Sequence, residues 1–369
     1  MLPIVSHTRG VWSVHAPELA CPACLPNPQE AGSLELEAGD GWVEQGRLRC
    51  RSCGTDYPIE AGVPHLFAPE AGNRNGARVD PRTQAAFGFE WLRYPVTTEA
   101  EDQFTLVGLT GIEPGFYQRV SFRNLFAHMP TALDLEAAKT SSLAGKRVME
   151  AGCGMGKYVR VVARSGARLA VGLDASEAVR RAAAVNRDLP NALIVKGDIF
   201  RPPLRPDFDL AYSVGVLHHT PDCHQAFLST ARLVRPGGEL AVWLYPHARD
   251  RMRQVVEWTH ERVLRPLTSR LPHATLEGLC AALGQVTVAK TRLKERGGAG
   301  REALARVLNL VAVGEHHDPQ IAAFLNFDWY SPPYRSRHTE EELCGWYREA
   351  GFEPPRLLPE RVSAIGRRS

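Results

Sequence analysis

The run Val148-Met149-Glu150-Ala151-Gly152-Cys153-Gly154-Met155-Gly156 decides the fold of this 369-residue chain. An apolar strand ends on an acid, and the chain then turns through three alternating glycines. Glycine has no Cβ, so it adopts positive φ at little cost and lets a ligand come close to the backbone. Glu150, at the carboxyl end of the strand, is placed to meet a cationic or hydroxyl-bearing group. Such a turn between strand and helix also occurs as plain structure, so the loop alone does not name a ligand.

The segments that follow narrow the choice. Leu169-Ala-Val-Gly-Leu-Asp174 is a second short apolar run ending in an acid, 18 residues past Gly156, where a doubly wound sheet brings a carboxylate to a ribose. Ala192-Leu-Ile-Val195 leads into Lys196-Gly197-Asp198-Ile199, a third acid at a strand end, able to accept from an adenine amino group. A fourth run, Phe208 to Ser213, precedes Leu217-His218-His219-Thr220, and Arg232-Leu-Val-Arg-Pro-Gly237-Gly238 opens a fifth strand over Glu239 to Tyr245.

With this order and spacing, Lys146 to Tyr245 resembles the class I S-adenosylmethionine-dependent methyltransferases. The resemblance implies an α/β fold with a doubly wound, seven-stranded Rossmann-like core and S-adenosyl-L-methionine as cofactor. It carries cofactor-binding roles onto Glu150, Gly152, Gly154, Gly156, Asp174, Asp198, Ile199 and Ser213. It also sets His218 and His219 just beyond strand four, where the methyl group is presented; a histidine near its ordinary pKa is a suitable base, and His218 is slightly favoured. A nicotinamide dehydrogenase competes for the loop, but the spacing is G-x-G-x-G rather than G-x-G-x-x-G, and the L-H-H-T and R-P-G-G segments have no role in that fold.

Near the N-terminus, Cys21-Pro-Ala-Cys24 and Cys50-Arg-Ser-Cys53 form two C-x2-C knuckles separated by 25 residues. Two knuckles close a tetrahedral thiolate site with no open position, so Cys21, Cys24, Cys50 and Cys53 are expected to hold structural Zn2+. The continuation Tyr57-Pro58-Ile59-Glu60-Ala61-Gly62-Val63-Pro64 resembles the zinc-ribbon activator subunit of eukaryotic methyltransferases. A ribbon of this kind also precedes a ribosomal-RNA methyltransferase. Residues 1–70, however, carry four Arg and no Lys against nine Asp and Glu, the wrong sign for a phosphate-binding surface. The ribbon is therefore expected to pack on the catalytic domain or on a protein partner.

The remainder divides by composition. Residues 71–145 hold Phe87, Phe89, Trp91, Tyr94, Phe104, Phe116, Tyr117, Phe122 and Phe126, which suggests a helical cap with an aromatic interior; a minority reading puts Trp91, Phe116 or Tyr117 over the cofactor or substrate. Residues 146–246 form the core. Residues 247–338 are additional to a minimal enzyme and read as a helical lid; 247–301 contain eleven Lys and Arg against five Asp and Glu. Such charge is ordinarily a solvated face, the sharper alternative being anion attraction through Arg251, Arg253 and Arg262. Residues 339–369 complete the sheet, with Thr339 and Glu342 forming a capping box.

Ser331-Pro332-Pro333-Tyr334 matches the signature of amino-methyltransferases on nucleobases, but it lies more than a hundred residues from strand four and reads as a proline turn. Its cluster still offers Tyr330, Tyr334 and Arg335 as substrate contacts. His316-His317-Asp318 lacks further spaced ligands and reads as a loop.

A chain of this length with 44% hydrophobic residues can bury a large core. It shows neither a bilayer-length apolar run nor a signal-like N-terminus, and its scattered remaining cysteines suit a reducing compartment, so a cytoplasmic protein is expected. The expected function is methyl transfer to a small or medium-sized metabolite in an enclosed pocket, an anionic one if the lid's cations attract it, without a membrane and with nucleic acid disfavoured as partner; a homodimer is left open. An RNA base methyltransferase is the alternative, and a cofactor-binding scaffold a third.

Overall fold

The computed structural model describes residues 15–25, 32–37, 43–69, 78–93, 143–249, 251–358 and 361–369. The expected cap aromatics Tyr94, Phe104, Phe116, Tyr117, Phe122 and Phe126 lie outside the described residues.

The core is a parallel sheet made by β5 (Arg147–Ala151), β6 (Leu169–Asp174), β7 (Ala192–Gly197), β8 (Phe208–Val214) and β9 (Val234–Trp243), closed by β10 (Arg356–Leu357) and β11 (Ser363–Arg367). These seven strands lie in the order β7-β6-β5-β8-β9-β11-β10, with β11 antiparallel to β9. The central strands are buried almost end to end because helices cover both faces. Side chains alternate between the two cores: Met149, Val171 and Leu193 enter one, and Val148, Ala170 and Ile194 the other. Helices α2 (Lys157–Arg164) and α3 (Val179–Asn186) supply the crossovers after β5 and β6, and α4 (Cys223–Ala231) the one between β8 and β9.

The order reverses between β5 and β8. Ligands of open parallel sheets bind at such a switch point, outside the carboxyl ends of the strands, and the glycine loop and Leu217-His218-His219 both emerge there.

The sheet does not stop at seven strands. The N-terminal ribbon contributes β1 (Leu34–Leu36), β2 (Gln45–Cys50), β3 (Asp56–Glu60) and β4 (Val63–Leu66), and β4 runs parallel to β7 with His65 opposite Lys196. The ribbon thus extends the sheet to eleven strands and covers the β7 edge, which would otherwise offer unpaired backbone groups. The residues before it lie along the core as well: Ala20 N donates to Pro203 O at 3.0 Å and Arg205 N to Glu18 O at 2.9 Å. Attachment to the catalytic domain, one of the two expected packing modes, is present in the β4–β7 pairing. Arg47 and Arg49 pair with Glu37 and Asp56 across the ribbon's strands, and Arg51 pairs with Glu35.

Helix α1 (Pro81–Arg93) lies between core and lid. The lid begins with α5 (Arg251–Thr259), a π-helical turn His260–Leu264 and α6 (Arg265–Thr268), then α7 (His273–Glu295), α8 (Ala299–Leu308) and α9 (Pro319–Tyr330). Phe89 of α1 packs on Phe327 of α9 with ring centroids 5.3 Å apart. Lys290 is buried in α7 and holds the α8–α9 connection through Asn309 Oδ1, Ala312 O and Gly314 O at 2.6 to 2.7 Å. Asp318 of the His316-His317-Asp318 loop caps α9, accepting from Gln320 N at 2.7 Å.

The exposed cations Arg251 and Arg262 sit on the outside of the lid, whereas Arg265 is buried beneath it. The side chain of Arg253 lies outside the described residues. Helix α10 (Glu340–Glu349) starts on the expected capping box, with Glu342 N donating to Thr339 Oγ1 at 3.1 Å. Among the described residues no helix is long and apolar enough to cross a membrane.

Candidate active site

The glycine loop is fixed by its own backbone. Gly152, Gly154 and Gly156 have φ of 82°, 51° and 74°, a region that side chains resist. A Cβ on Gly152 would meet Val216 Cγ1 at 2.3 Å, and one on Gly156 would meet Ala182 Cβ at 2.6 Å. Gly154 N donates to Asp174 Oδ2 at 2.9 Å, and Ser176 N donates to Asp174 Oδ1 at 2.8 Å, so Asp174 ties the loop to the end of β6. The Trp91 indole of α1 lies against Gly154, its Nε1 3.3 Å from where a Cβ would stand. Part of the aromatic cap therefore does overlie the loop.

Glu150 ends β5 in a buried position beside Tyr212, with Oε2 a buried atom without a hydrogen-bond partner. Burial pushes its carboxyl well above the usual range. Asp198 accepts from Phe200 N at 2.9 Å and from Val79 N at 3.4 Å, and burial raises it too. Ile199 is buried beside it in the core. The Ser213 side chain is engaged within the sheet, its hydroxyl donating to Ala151 O at 2.9 Å.

His218 and His219 form a 3-10 turn after β8, their ring centroids 4.4 Å apart. His218 is 0% exposed, stacks on Tyr245 at 3.7 Å, and neither ring nitrogen has a hydrogen-bond partner. His219 lies with Nδ1 2.9 Å from Tyr334 O. A carbonyl only accepts, so Nδ1 carries the proton and Nε2 keeps its lone pair. Burial, reinforced by Arg335, holds His219 down to about 3, and burial with the neighbouring His219 holds His218 well below its ordinary value.

The segment leaving the lid closes over this turn. Ser336 N donates to His218 O and His338 N to Tyr245 O, both at 2.9 Å. The three expected substrate contacts fare differently. Tyr330 belongs to the lid's own core, its hydroxyl bound to Val311 O at 2.7 Å and its ring stacked on His260. The Tyr334 hydroxyl reaches back to Asp80 Oδ2 at 3.2 Å, so Tyr334 links His219 to the residue before α1. Arg335 alone keeps a polar edge unengaged: its guanidinium lies between Trp329 and Tyr245.

Glu90 escaped the sequence reading. It is fully buried, its oxygens have no partner, and burial beside Asp328 raises it well above the usual range. An acid set between Phe89 and Trp91 was the available signal, hidden because the aromatic run reads as core.

The second cluster is remote in chemistry. The sulfurs of Cys21, Cys24, Cys50 and Cys53 all lie within 4.8 Å of one another, with Cys21 to Cys53 at 3.6 Å and Cys24 to Cys50 at 3.8 Å. Tetrahedral zinc with thiolates at ~2.3 Å sets its ligands roughly 3.8 Å apart, so the four residues fit the ion.

A parallel sheet reversing at a glycine loop, with acids at successive strand ends, defines a nucleotide-cofactor α/β domain. Residues 149–242 match the family model described as a methyltransferase domain, and this part of the chain is a class I, S-adenosylmethionine-dependent methyltransferase domain. A ubiquinone biosynthesis O-methyltransferase of Alkalilimnicola ehrlichii is 32% identical over 115 residues, covering 30% of this chain and 46% of the relative. A tRNA U34 carboxymethyltransferase of Ruthia magnifica is 30% identical over 105 residues, covering 27% and 32%. A solved S-adenosylmethionine-dependent methyltransferase from Mesorhizobium loti shares 29% identity, covering 31% of this chain and 58% of that one, with a TM-score of 0.26. The chain spans 46% and 32% of the lengths of the two curated relatives named here.

Proposed function

We propose that this chain transfers a methyl group from S-adenosylmethionine to a small or medium-sized metabolite enclosed between the sheet, α1 and the lid. The supporting observation is the seclusion of the histidine pair: both rings are buried, with α1 packed on one side and the lid's return segment bonded across the other. A polynucleotide chain has no such access to a buried turn unless a base is extruded into it.

Gly152, Gly154 and Gly156 would admit the cofactor against the backbone, Asp174 would take its ribose hydroxyls, and Asp198 with Ile199 would lie on the adenine side. The cofactor supplies an electrophilic methyl on a sulfonium. Holding the nucleophile in line with that methyl supplies most of the acceleration. His219 is the better base of the pair, since Tyr334 O fixes its tautomer with Nε2 as acceptor. The four cysteines would hold structural zinc that stiffens the ribbon against β7.

The second reading, an RNA base methyltransferase, draws on the exposed Arg251 and Arg262 and on the tRNA-directed relatives. Methyl-labelled cofactor given to the full chain with a small-molecule extract and, separately, with bulk tRNA separates the two. Label is expected in the small-molecule fraction, unchanged by Arg251→Glu with Arg262→Glu. Label in tRNA, lost in that variant and falling steeply with salt, would overturn the metabolite reading.

A further inference from the structure

We propose that the acceptor carries a carboxylate and that Arg335 pairs with it, held between Trp329 and Tyr245 beside His219; the inference rests on the methyl-transfer reading above.

Arg335 is 9% exposed and makes neither a hydrogen bond nor an ion pair with any described residue, its Nε and Nη1 being buried without partners. Its guanidinium carbon lies 3.5 Å from the Trp329 ring centroid and 4.4 Å from that of Tyr245. Aromatic rings cover the guanidinium and hold it in place through cation–π attraction, but they satisfy none of its N–H groups.

The neighbouring cations are treated differently. Arg337 pairs with Glu257 at 3.1 Å and Glu261 at 3.0 Å, and Arg265 donates to Pro332 O at 2.8 Å. The acids on the interior side do not supply the missing partner. Asp328 feels Arg335 without forming an ion pair, and the oxygens of Glu90 are buried without a hydrogen-bond partner. A buried, unpaired guanidinium is costly, and proteins keep such groups where an anion completes them. A carboxylate is flat, singly charged and matched to N–H donors in the guanidinium plane.

The location gives the pair a purpose. Tyr334, whose carbonyl orients His219, immediately precedes Arg335, so one turn positions both base and cation. The charges facing His219 are Arg335 and Arg265, with the Tyr334 carbonyl opposing them. A carboxylate seated on Arg335 offsets the larger of those positive fields. Acceptor binding thereby raises the proton affinity of His219 when a proton has to be taken.

The test uses the full chain saturated with S-adenosylhomocysteine, and reads thermal shift and calorimetric binding for benzoate, benzamide and inorganic phosphate, in wild type and Arg335→Met. Benzoate is expected to raise the melting temperature while benzamide does not. Arg335→Met should weaken benzoate by roughly thirtyfold or more while leaving S-adenosylhomocysteine affinity unchanged; Arg335→Lys should recover part of the loss. Equal shifts by acid and amide, no benzoate shift at all, or a benzoate shift that survives in Arg335→Met would overturn the inference. A larger response to phosphate would replace the carboxylate with a phosphate ester. Loss of S-adenosylhomocysteine affinity in Arg335→Met would instead put the cofactor's own carboxylate on Arg335. Failure of wild type to bind S-adenosylhomocysteine would count against the methyl-transfer reading itself, and so is distinguishable from failure at Arg335.

Discussion

The two halves of the candidate active site are finished to different degrees. On the loop side, Asp174 already accepts from Gly154 and Ser176, the glycines hold their positive φ, and among the side chains of the loop only Glu150 Oε2 is a buried atom without a partner. On the lid side, His218, Glu90 and Arg335 are all buried with polar atoms unbonded. Backbone geometry can be completed without a ligand because its partners are local. A recognition surface for an acceptor keeps donors and acceptors in reserve, and the surrounding fold must offset the cost of burying them.

Breaking the loop side should have the largest effect. In Gly154→Arg, a side chain on a left-handed backbone would also be driven against Trp91, and S-adenosylhomocysteine binding should become undetectable by calorimetry with the fold retained by circular dichroism. Asp174→Ala removes both the proposed ribose partner and the tether to the loop and should weaken binding by about a hundredfold, the upper end for a lost charge-assisted bond. Retained affinity in either variant would mean that the cofactor lies elsewhere.

The ribbon gives the next largest effect. One zinc per chain is expected by elemental analysis, and Cys50→Ser should abolish it and lower the melting temperature of the whole chain, because β4 is part of the catalytic sheet. A ribbon that melts separately, with the core transition unmoved, would show that β4 adds no stability at β7.

The smallest effect sharpens the lid side through pH. His219 is held to about 3 against an ordinary 6.5, so the unfolded chain binds its proton at higher pH than the native one. Its contribution is therefore complete above about pH 6.5 and is lost as pH falls toward about 3, by up to ~1.4 kcal/mol per pH unit. Glu90, Glu150, Asp198 and Asp328 are shifted upward and act in the opposite sense, so the comparison must be with His219→Gln at each pH. A stability gap between the two proteins that does not narrow in acid would show that His219 is not held neutral by its surroundings.

Much of this was legible in the chain. Residues 169–174 and 208–213 were read as strands and are strands, the capping box at Thr339 forms, and the Cys21, Cys24, Cys50 and Cys53 knuckles converge. These features follow from local rules: apolar runs, cap chemistry and short spacings. What local rules do not reach is where long-range packing chooses: the Ser213 hydroxyl donates to Ala151 O inside the sheet, and the Tyr330 hydroxyl to Val311 O inside the lid. The lid's charge was visible as a count, but not that Arg251 and Arg262 would face outward and Arg265 inward.

The sequence by itself determined the proposed cofactor-binding half, because a sharp turn against a nucleotide needs glycines and acids at positions close along one chain segment. Only the tertiary structure decided the proposed acceptor half. Glu90, His219, Trp329 and Arg335 come from three distant segments, and whether a buried polar atom is bonded or left unpaired depends on which partners packing brings within about 3 Å.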